Sequence, residues 1–284
     1  MAIPVKLWQT EIVKVTQAIL PVAGLGTRFL PWTKVVPKEL LPLGSQPIIA
    51  HLVDECLAAG VNDICFVINR GKELIPQYFY ADPALEAELR RRGKHHPLEQ
   101  LKRYDDVNFH VVYQEEQRGD GHAILQAKDW VKDELVAVLF GDDLIVGSDA
   151  GLLQLIRAYG HVATPHSAML CLENIPREHV SKYGIVDVDE KESKGRLKKV
   201  KGLVEKPSPD EAPSTLGIVG KYLIPRGTFH VLPEVKGGHG GEIRLIDALI
   251  AQLPHTPIYG YEVEGKRLDT GTPEGYKEAV KILG

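Results

Sequence analysis

Val15-Thr16-Gln17-Ala18-Ile19-Leu20-Pro21-Val22 runs straight into Ala23-Gly24-Leu25-Gly26-Thr27-Arg28. The first eight residues form a short, largely apolar run of strand length, and two glycines then break it. Glycines at a strand end let backbone N–H groups approach a phosphate or a base with no Cβ in the way. Two familiar phosphate loops do not fit. A P-loop needs Gly-Lys-Ser/Thr, which is absent, and a dinucleotide fingerprint needs Gly or Ala where Phe29 stands, followed at once by a helix that Pro31 interrupts.

Outward from this stretch the pattern repeats. Pro47 to Ala59 carries Ile48, Ile49, Leu52, Val53, Cys56 and Leu57 at a helical period, and Gly60 ends it. Asp63 to Ile68 is a second strand, Pro83 to Arg92 is helical, and Arg90 to Gln100 is a charged, His-containing stretch. Val107 to Tyr113 and Leu135 to Phe140 are further strands, with a helical segment around His122 to Val131 between them. Such alternation predicts an α/β fold with a largely parallel sheet covered on both faces. The second half is more β-rich. Strands are expected at His166 to Leu172, Gly184 to Val188, Lys198 to Glu205, Gly217 to Leu223 and Ile258 to Val263. Glu190 to Arg196 reads as a polar turn, and helices are expected over Glu242 to Leu253 and Pro273 to Leu283. With no repeat or long linker, the chain divides into an extension, 1–14, and one domain, 15–284.

Composition narrows the function classes. The chain has 284 residues, 44% hydrophobic and 25% charged, so it needs no disulfide or metal staple to build a core. Thirty-four basic against 38 acidic side chains give a net charge of −4, which argues against a nucleic-acid binder but not against a small anionic substrate. Cys56, Cys65 and Cys171 lack metal-ligand spacing and read as buried reduced thiols. The sequence carries no leader-like start and no membrane-span-length apolar run, which predicts a cytoplasmic protein without a membrane partner. His95, His96, His110 and His122 lack standard zinc spacing and are read as surface or packing residues.

The excursion Arg28 to Pro47 holds four prolines and the cations Arg28, Lys34 and Lys38. It follows the C-terminal end of a first strand, where open α/β sheets bind ligands, so its cations are candidates for phosphate contacts.

In chain order, GLGTRFLPWTKVVPKELLPL, GDGHAIL, FGDD, YGIV, VEKP, IVGKY, GEIRLIDAL and LDTGTPEGY resemble the bacterial UTP–glucose-1-phosphate uridylyltransferases, within the sugar-phosphate nucleotidyltransferases. The match spans about Val15 to Gly284. The resemblance implies a Rossmann-like nucleotidyltransferase fold, with a mostly parallel central sheet, helices on both faces and a smaller sugar-binding β-rich half. It implies uridylyl transfer from UTP to glucose 1-phosphate, releasing pyrophosphate, with Mg²⁺ and no covalent intermediate. It also implies a homodimer or homotetramer. By the same resemblance, Arg28 and Lys38 grip the triphosphate and Lys206 holds the sugar phosphate. Asp142 and Asp269 hold the metal. Ala23, Gly24 and Gly26 supply backbone contacts, Gln114 and Gly119 read the base, and Gly184 and Glu205 meet the sugar. Gln117 competes with Gln114 for base reading. Asp143 is an extra acid with two open readings, support for its neighbour or contact with a sugar hydroxyl.

The chemistry asked of these residue types is consistent. Two polyanions must meet, so cations and a metal matter more than a protein nucleophile. Arg suits a departing pyrophosphate because its planar fork binds two oxygens, and hard Mg²⁺ prefers carboxylate and phosphate oxygens. Two other readings are a thymidylyltransferase on the same scaffold and a non-catalytic nucleotide-sugar regulator. The GLGTRFLP spelling and the retention of all five charged positions speak against them.

Overall fold

The structure, a computed structural model, describes residues 14–162, 164, 166–235 and 241–284. The expected extension therefore lies, except for Lys14, outside the described residues.

In chain order the elements are β1 (Gln17–Pro21), β2 (Pro42–Leu43), β3 (Gln46–Pro47), α1 (Ile48–Ala58), β4 (Asp63–Ile68), α2 (Leu74–Gln77), α3 (Pro83–Arg91), α4 (His95–Leu101) and β5 (Asn108–Tyr113). Next come α5 (Asp120–Gln126), β6 (Leu135–Leu139), β7 (Asp143–Val146), α6 (Gly151–Tyr159), β8 (Ala168–Asn174), β9 (Gly184–Lys194), β10 (Leu197–Glu205) and β11 (Leu216–Pro225). The chain closes with α7 (Thr228–Val231), α8 (Leu245–Gln252), β12 (Ile258–Glu262), β13 (Lys266–Asp269) and α9 (Pro273–Leu283).

Nine strands form one sheet in the order β5-β4-β1-β6-β11-β8-β12-β10-β9. From β5 to β6 every pairing is parallel, as βαβ crossovers require. Beyond β6 the sheet is mixed: β11 runs antiparallel to both β6 and β8, β12 is parallel to β8, and β10 and β9 close the edge antiparallel. The β-rich half thus continues the same sheet instead of forming a separate one.

Strand alternation divides the core cleanly. Ala18, Leu20, Ile64, Phe66, Leu135 and Ala137 point to one side, where Ile49, Leu52 and Val53 of α1 and Leu152 and Leu155 of α6 cover them. Ile19, Cys65, Val67, Val136 and Val138 point to the other, under Ile124 of α5, Phe229 of α7 and Leu245 and Leu249 of α8. Both faces are buried, which is why these strands read as continuous apolar runs. All three cysteines are free and buried.

Some boundaries differ from the sequence reading. The charged Arg90 to Gln100 stretch is the end of α3, a turn at Gly93 and α4. The expected polar turn at Glu190 to Arg196 is mostly strand. Cross-strand partners on β10 carry β9 to Lys194, and the reversal falls at Gly195, φ 56°. The helix expected from Glu242 begins at Leu245, whose N–H is capped by Asp120 Oδ1 at 2.7 Å, while Arg244 is extended. The sequence reading lacked α6 and the β7–β13 pair. That pair has only four residues per strand and no alternation to betray it, yet it sets Asp269 directly opposite Asp143.

Candidate active site

The C-terminal ends of β1 and β6 lie side by side because β1 pairs with β6 in parallel, Ile19 opposite Val138. The glycine loop leaves one and Asp142 follows the other. Gly26 adopts φ 65°, a left-handed conformation that favours glycine, and Thr33 Oγ1 ties its carbonyl back at 2.8 Å. Ala23 is anchored through its carbonyl by Asn69 Nδ2 at 2.7 Å, and Gly24 faces solvent with open space around it.

Four of the predicted charged residues meet around Gly271. Lys38 Nζ donates to Asp142 Oδ2 at 2.6 Å, and Arg28 Nη1 donates to the Gly271 carbonyl at 3.3 Å. The Gly271 N–H donates to Asp269 Oδ1 at 2.9 Å. A Cβ on Gly271 would come within 2.7 Å of Asp142 Oδ2 and 3.1 Å of Asp269 Oδ1, so both carboxylates border one spot the size of a methyl group. The Asp142 carbonyl accepts from Thr270 N at 2.7 Å and from Thr270 Oγ1 at 3.0 Å, which locks the strand carrying Asp269 to the turn carrying Asp142. Burial alone pushes the Asp142 carboxyl up, but the Lys38 and Arg28 charges outweigh it and hold it below the usual carboxylate range. Burial likewise opposes the Lys38 charge, and Asp142 more than restores it.

The two carboxylates fit a magnesium ion better than zinc. Among the described residues no group of three His, Cys, Asp or Glu side chains could enclose a metal. Mg²⁺ does not require one: it keeps several waters and is held by one or two carboxylates plus substrate phosphates.

Beneath this layer lie pairs that sequence reasoning passed over. Glu39, next to Lys38, is buried and pairs with Lys72 Nζ at 2.9 Å, and Lys72 also donates to the Val22 carbonyl at 2.7 Å. This clamp joins the Lys38 segment to the end of β1. Lys221, fully buried, pairs with Glu55 at 2.9 Å and donates to the Asp143 carbonyl at 2.7 Å. The PKE element held the clue to Glu39, but nothing local marks Lys72 as its partner.

The Asp143 carboxylate is engaged by the protein itself. Its Oδ2 accepts from Gly220 N at 3.0 Å and its Oδ1 accepts from Arg267 Nη1.

Gln114 and Gly119, the pair expected to read the base, form a second group. Gln114 is 3% exposed, whereas Gln117 faces solvent. Gln114 Nε2 donates to the Gly119 carbonyl at 2.9 Å and to His122 Nδ1 at 3.1 Å, which turns its Oε1 the other way. Burial, helped by the Arg118 charge, lowers the His122 pKa, so the ring stays neutral and Nδ1 can accept. Gly119 sits at φ 102°, and a Cβ there would strike the Ile243 backbone.

Gly184, Glu205 and Lys206, the residues expected on the sugar side, form a third group. Gly184 and Glu205 are paired across β9 and β10, and Glu205 accepts from Arg244 Nη1 at 3.5 Å. Lys206 Nζ lies 3.2 Å from Glu205 and is 58% exposed. Its backbone has φ 49°, and its N–H donates to the Tyr183 carbonyl at 3.0 Å. Lys206 makes no ion pair with the Asp142 group among the described residues.

The chain resembles known proteins along nearly its whole length. The Nucleotidyl transferase family model matches residues 17–283. The UTP–glucose-1-phosphate uridylyltransferase of Bacillus subtilis is 39% identical over 264 residues, 93% of this chain and 89% of that protein. A UDP-glucose pyrophosphorylase solved with UDP-glucose superposes with a TM-score of 0.83 at 33% identity, covering 95% of this chain and 98% of that one. A UTP-bound enzyme of the same kind from Acinetobacter baumannii gives a TM-score of 0.87 at 34% identity, covering 95% and 94%. By sequence, fold and extent, the chain belongs to the nucleotidyltransferases, in the family of the UTP–glucose-1-phosphate uridylyltransferases.

Proposed function

We propose that this protein makes UDP-glucose and pyrophosphate from UTP and glucose 1-phosphate. A phosphate oxygen of the sugar attacks the α-phosphorus of UTP in line, the bond to the bridging α–β oxygen breaks, and pyrophosphate leaves on the opposite side. A sugar phosphate is already nucleophilic near neutral pH, so the step needs no protein base, and no group of the protein becomes covalently attached.

The observation that carries this reading is the meeting of Arg28, Lys38, Asp142 and Asp269 around Gly271, at the mouth of the glycine loop. Arg28 and Lys38 bind the triphosphate, and Arg28 holds two oxygens of the departing pyrophosphate. Ala23, Gly24 and Gly26 let the nucleotide approach the backbone. Gln114 Oε1, turned away from Gly119 and His122, accepts the uracil N3–H, and the Gly119 N–H donates to a uracil carbonyl. Glu205 and Gly184 hold sugar hydroxyls. Lys206 leaves Glu205 to pair with the sugar phosphate, and its solvent-facing position supports that exchange. Asp142 and Asp269 hold Mg²⁺, which when bound neutralises charge on the phosphate oxygens. Orientation and electrostatics supply the rate.

The uridylyl reading is favoured over the thymidylyl one by the names of the relatives that match along nearly the whole chain. A cytoplasmic homodimer or homotetramer belongs to the same proposal and rests on the resemblance. No described helix is long and apolar enough to cross a membrane.

Pyrophosphate release from UTP and glucose 1-phosphate, with Mg²⁺ and with chelator, tests the reading. Release with UTP that stops on chelation is expected. Faster release with dTTP would move the protein to the thymidylyltransferases, and tight nucleotide-sugar binding without release would make it a regulator.

A further inference from the structure

One side chain reaches from the carboxylate side of the cleft to the sugar side without belonging to either recognised group. Arg267, on β13 two residues before Asp269, is 10% exposed. Its Nη1 donates to Asp143 Oδ1 and lies 3.8 Å from Asp269 Oδ2. Its Nε donates to Glu173 Oε2 at 2.6 Å and its Nη2 to the Tyr183 hydroxyl at 2.6 Å. Three nitrogens thus serve partners on four different segments. The guanidinium carbon lies 5.1 Å from the centroid of the Tyr183 ring. Burial works against this charge, but Asp143 and Glu173 keep it firmly protonated.

Tyr183 joins Arg267 to the Lys206 turn. Its carbonyl accepts from Lys206 N at 3.0 Å, and Gly184 follows it directly. Lys206 occupies φ 49°, a conformation that residues with a Cβ rarely adopt, so the turn must be held from outside. The Tyr183 carbonyl supplies one such hold, and Arg267 fixes Tyr183 at the other end.

We propose that Arg267 is a positioning residue that couples the two substrate sides, setting the Tyr183–Gly184 and Lys206 turns against the Asp142–Asp143 turn and Asp269. This deepens the proposed function and rests on it. A lysine cannot reproduce the arrangement, because one ammonium cannot reach partners fanned around a planar fork. Loss of a purely structural arginine would lower stability and leave the kinetic constants unchanged, or shift both KM values alike.

The test is steady-state kinetics with UTP, glucose 1-phosphate and Mg²⁺ on wild type, Arg267→Met, Arg267→Lys, Tyr183→Phe and the Arg267→Lys/Tyr183→Phe double variant. Thermal unfolding and calorimetric binding of glucose 1-phosphate are measured alongside. In Arg267→Lys the KM for the sugar phosphate is expected to rise about tenfold or more, with the KM for UTP unchanged because Lys38 and Thr270 hold the Asp142 side without Arg267. Tyr183→Phe raises the same KM less, and adding it to Arg267→Lys changes nothing further, since both break one connection. Equal rises in both KM values, a lowered Tm with unchanged kinetics, or additive effects would overturn the proposal. If Arg267→Met does not fold, the lysine and Tyr183 variants carry the test. A wild type that binds glucose 1-phosphate but releases no pyrophosphate would defeat the proposed function; the coupling then stands or falls on whether Arg267→Lys weakens that binding. A wild type that neither binds nor turns over would sink both.

Discussion

The two ends of the cleft are built differently. At the proposed nucleotide end, Lys38, Asp142, Gln114 and Asp269 each have a protein partner, and the buried Glu39–Lys72 pair lies next to Lys38 and Asp142. At the sugar end the chief cation, Lys206, faces solvent in a left-handed turn and rests against Glu205. One end is held by partners within the protein, and on the proposed function the other would exchange an internal ion pair for a substrate phosphate. The difference follows from the sheet. The glycine loop and Asp142 leave β1 and β6, parallel strands buried on both faces, whereas Gly184 and Glu205 lie on antiparallel strands near an edge.

The strongest way to break this contrast is to remove the buried clamp. Lys72→Met strands the Glu39 carboxylate in the interior, which should cost about 3–5 kcal/mol of stability by denaturant unfolding. Adding Glu39→Leu should recover most of that loss, since an apolar pair of similar volume is often neutral. A single variant as stable as wild type would show that the nucleotide end does not depend on the clamp.

Asp142→Asn should lower kcat roughly 10²–10³-fold, by analogy with the loss of one preorganised electrostatic group. The fold should persist, because the backbone bonds from Thr270 do not need the charge. Activity like wild type at limiting Mg²⁺ would remove Asp142 from the metal.

Lys206→Ala sharpens the comparison at the other end. Losing one charge-assisted phosphate contact should raise the KM for glucose 1-phosphate roughly 10–100-fold, with little change in stability because the side chain is exposed. A drop in Tm as large as that of Lys72→Met would contradict the contrast.

The smallest effect concerns pH. Asp120 lies at the solvent-facing start of α5, yet the groups packed around its carboxyl push it up to about 6, burial foremost and Glu205 adding to it. In the unfolded chain it titrates near ~3.9. Between these values the folded state holds more protons, so this group favours folding most below pH ~4 and its contribution falls as pH rises through about 6. Asp120→Asn keeps an oxygen to cap Leu245 and should flatten that part of the stability profile. An unchanged slope in urea unfolding between pH 4 and 7 would refute it.

What the sequence made legible follows the same division. β1, β4 and β6 are continuous apolar runs because both their faces are covered, so their positions were readable from residue type alone. The glycine loop and the cations that follow it were legible as candidates for phosphate contacts. The β7–β13 pair was not readable, being two short strands more than a hundred residues apart that are joined by tertiary pairing. The same holds for Lys72, Lys221, Arg267 and His122. Each looks like an ordinary charged or polar residue, and only the fold shows that its partner is buried nearby. The resemblance supplied Asp269, because its local Asp-Thr-Gly reads equally well as a turn. Lys206 shows the limit of both routes, since its ligand-free side chain rests on Glu205 and no local pattern fixes where it goes when phosphate arrives.

The most direct test of the common cleft is a crystal structure of this protein grown with UDP-glucose and Mg²⁺. The expected result is a metal held by Asp142 and Asp269 beside the diphosphate, with Lys206 turned from Glu205 onto the sugar-side phosphate and the uracil against Gln114. A diphosphate bound away from the Gly271 junction, or a metal held without Asp142 and Asp269, would contradict it.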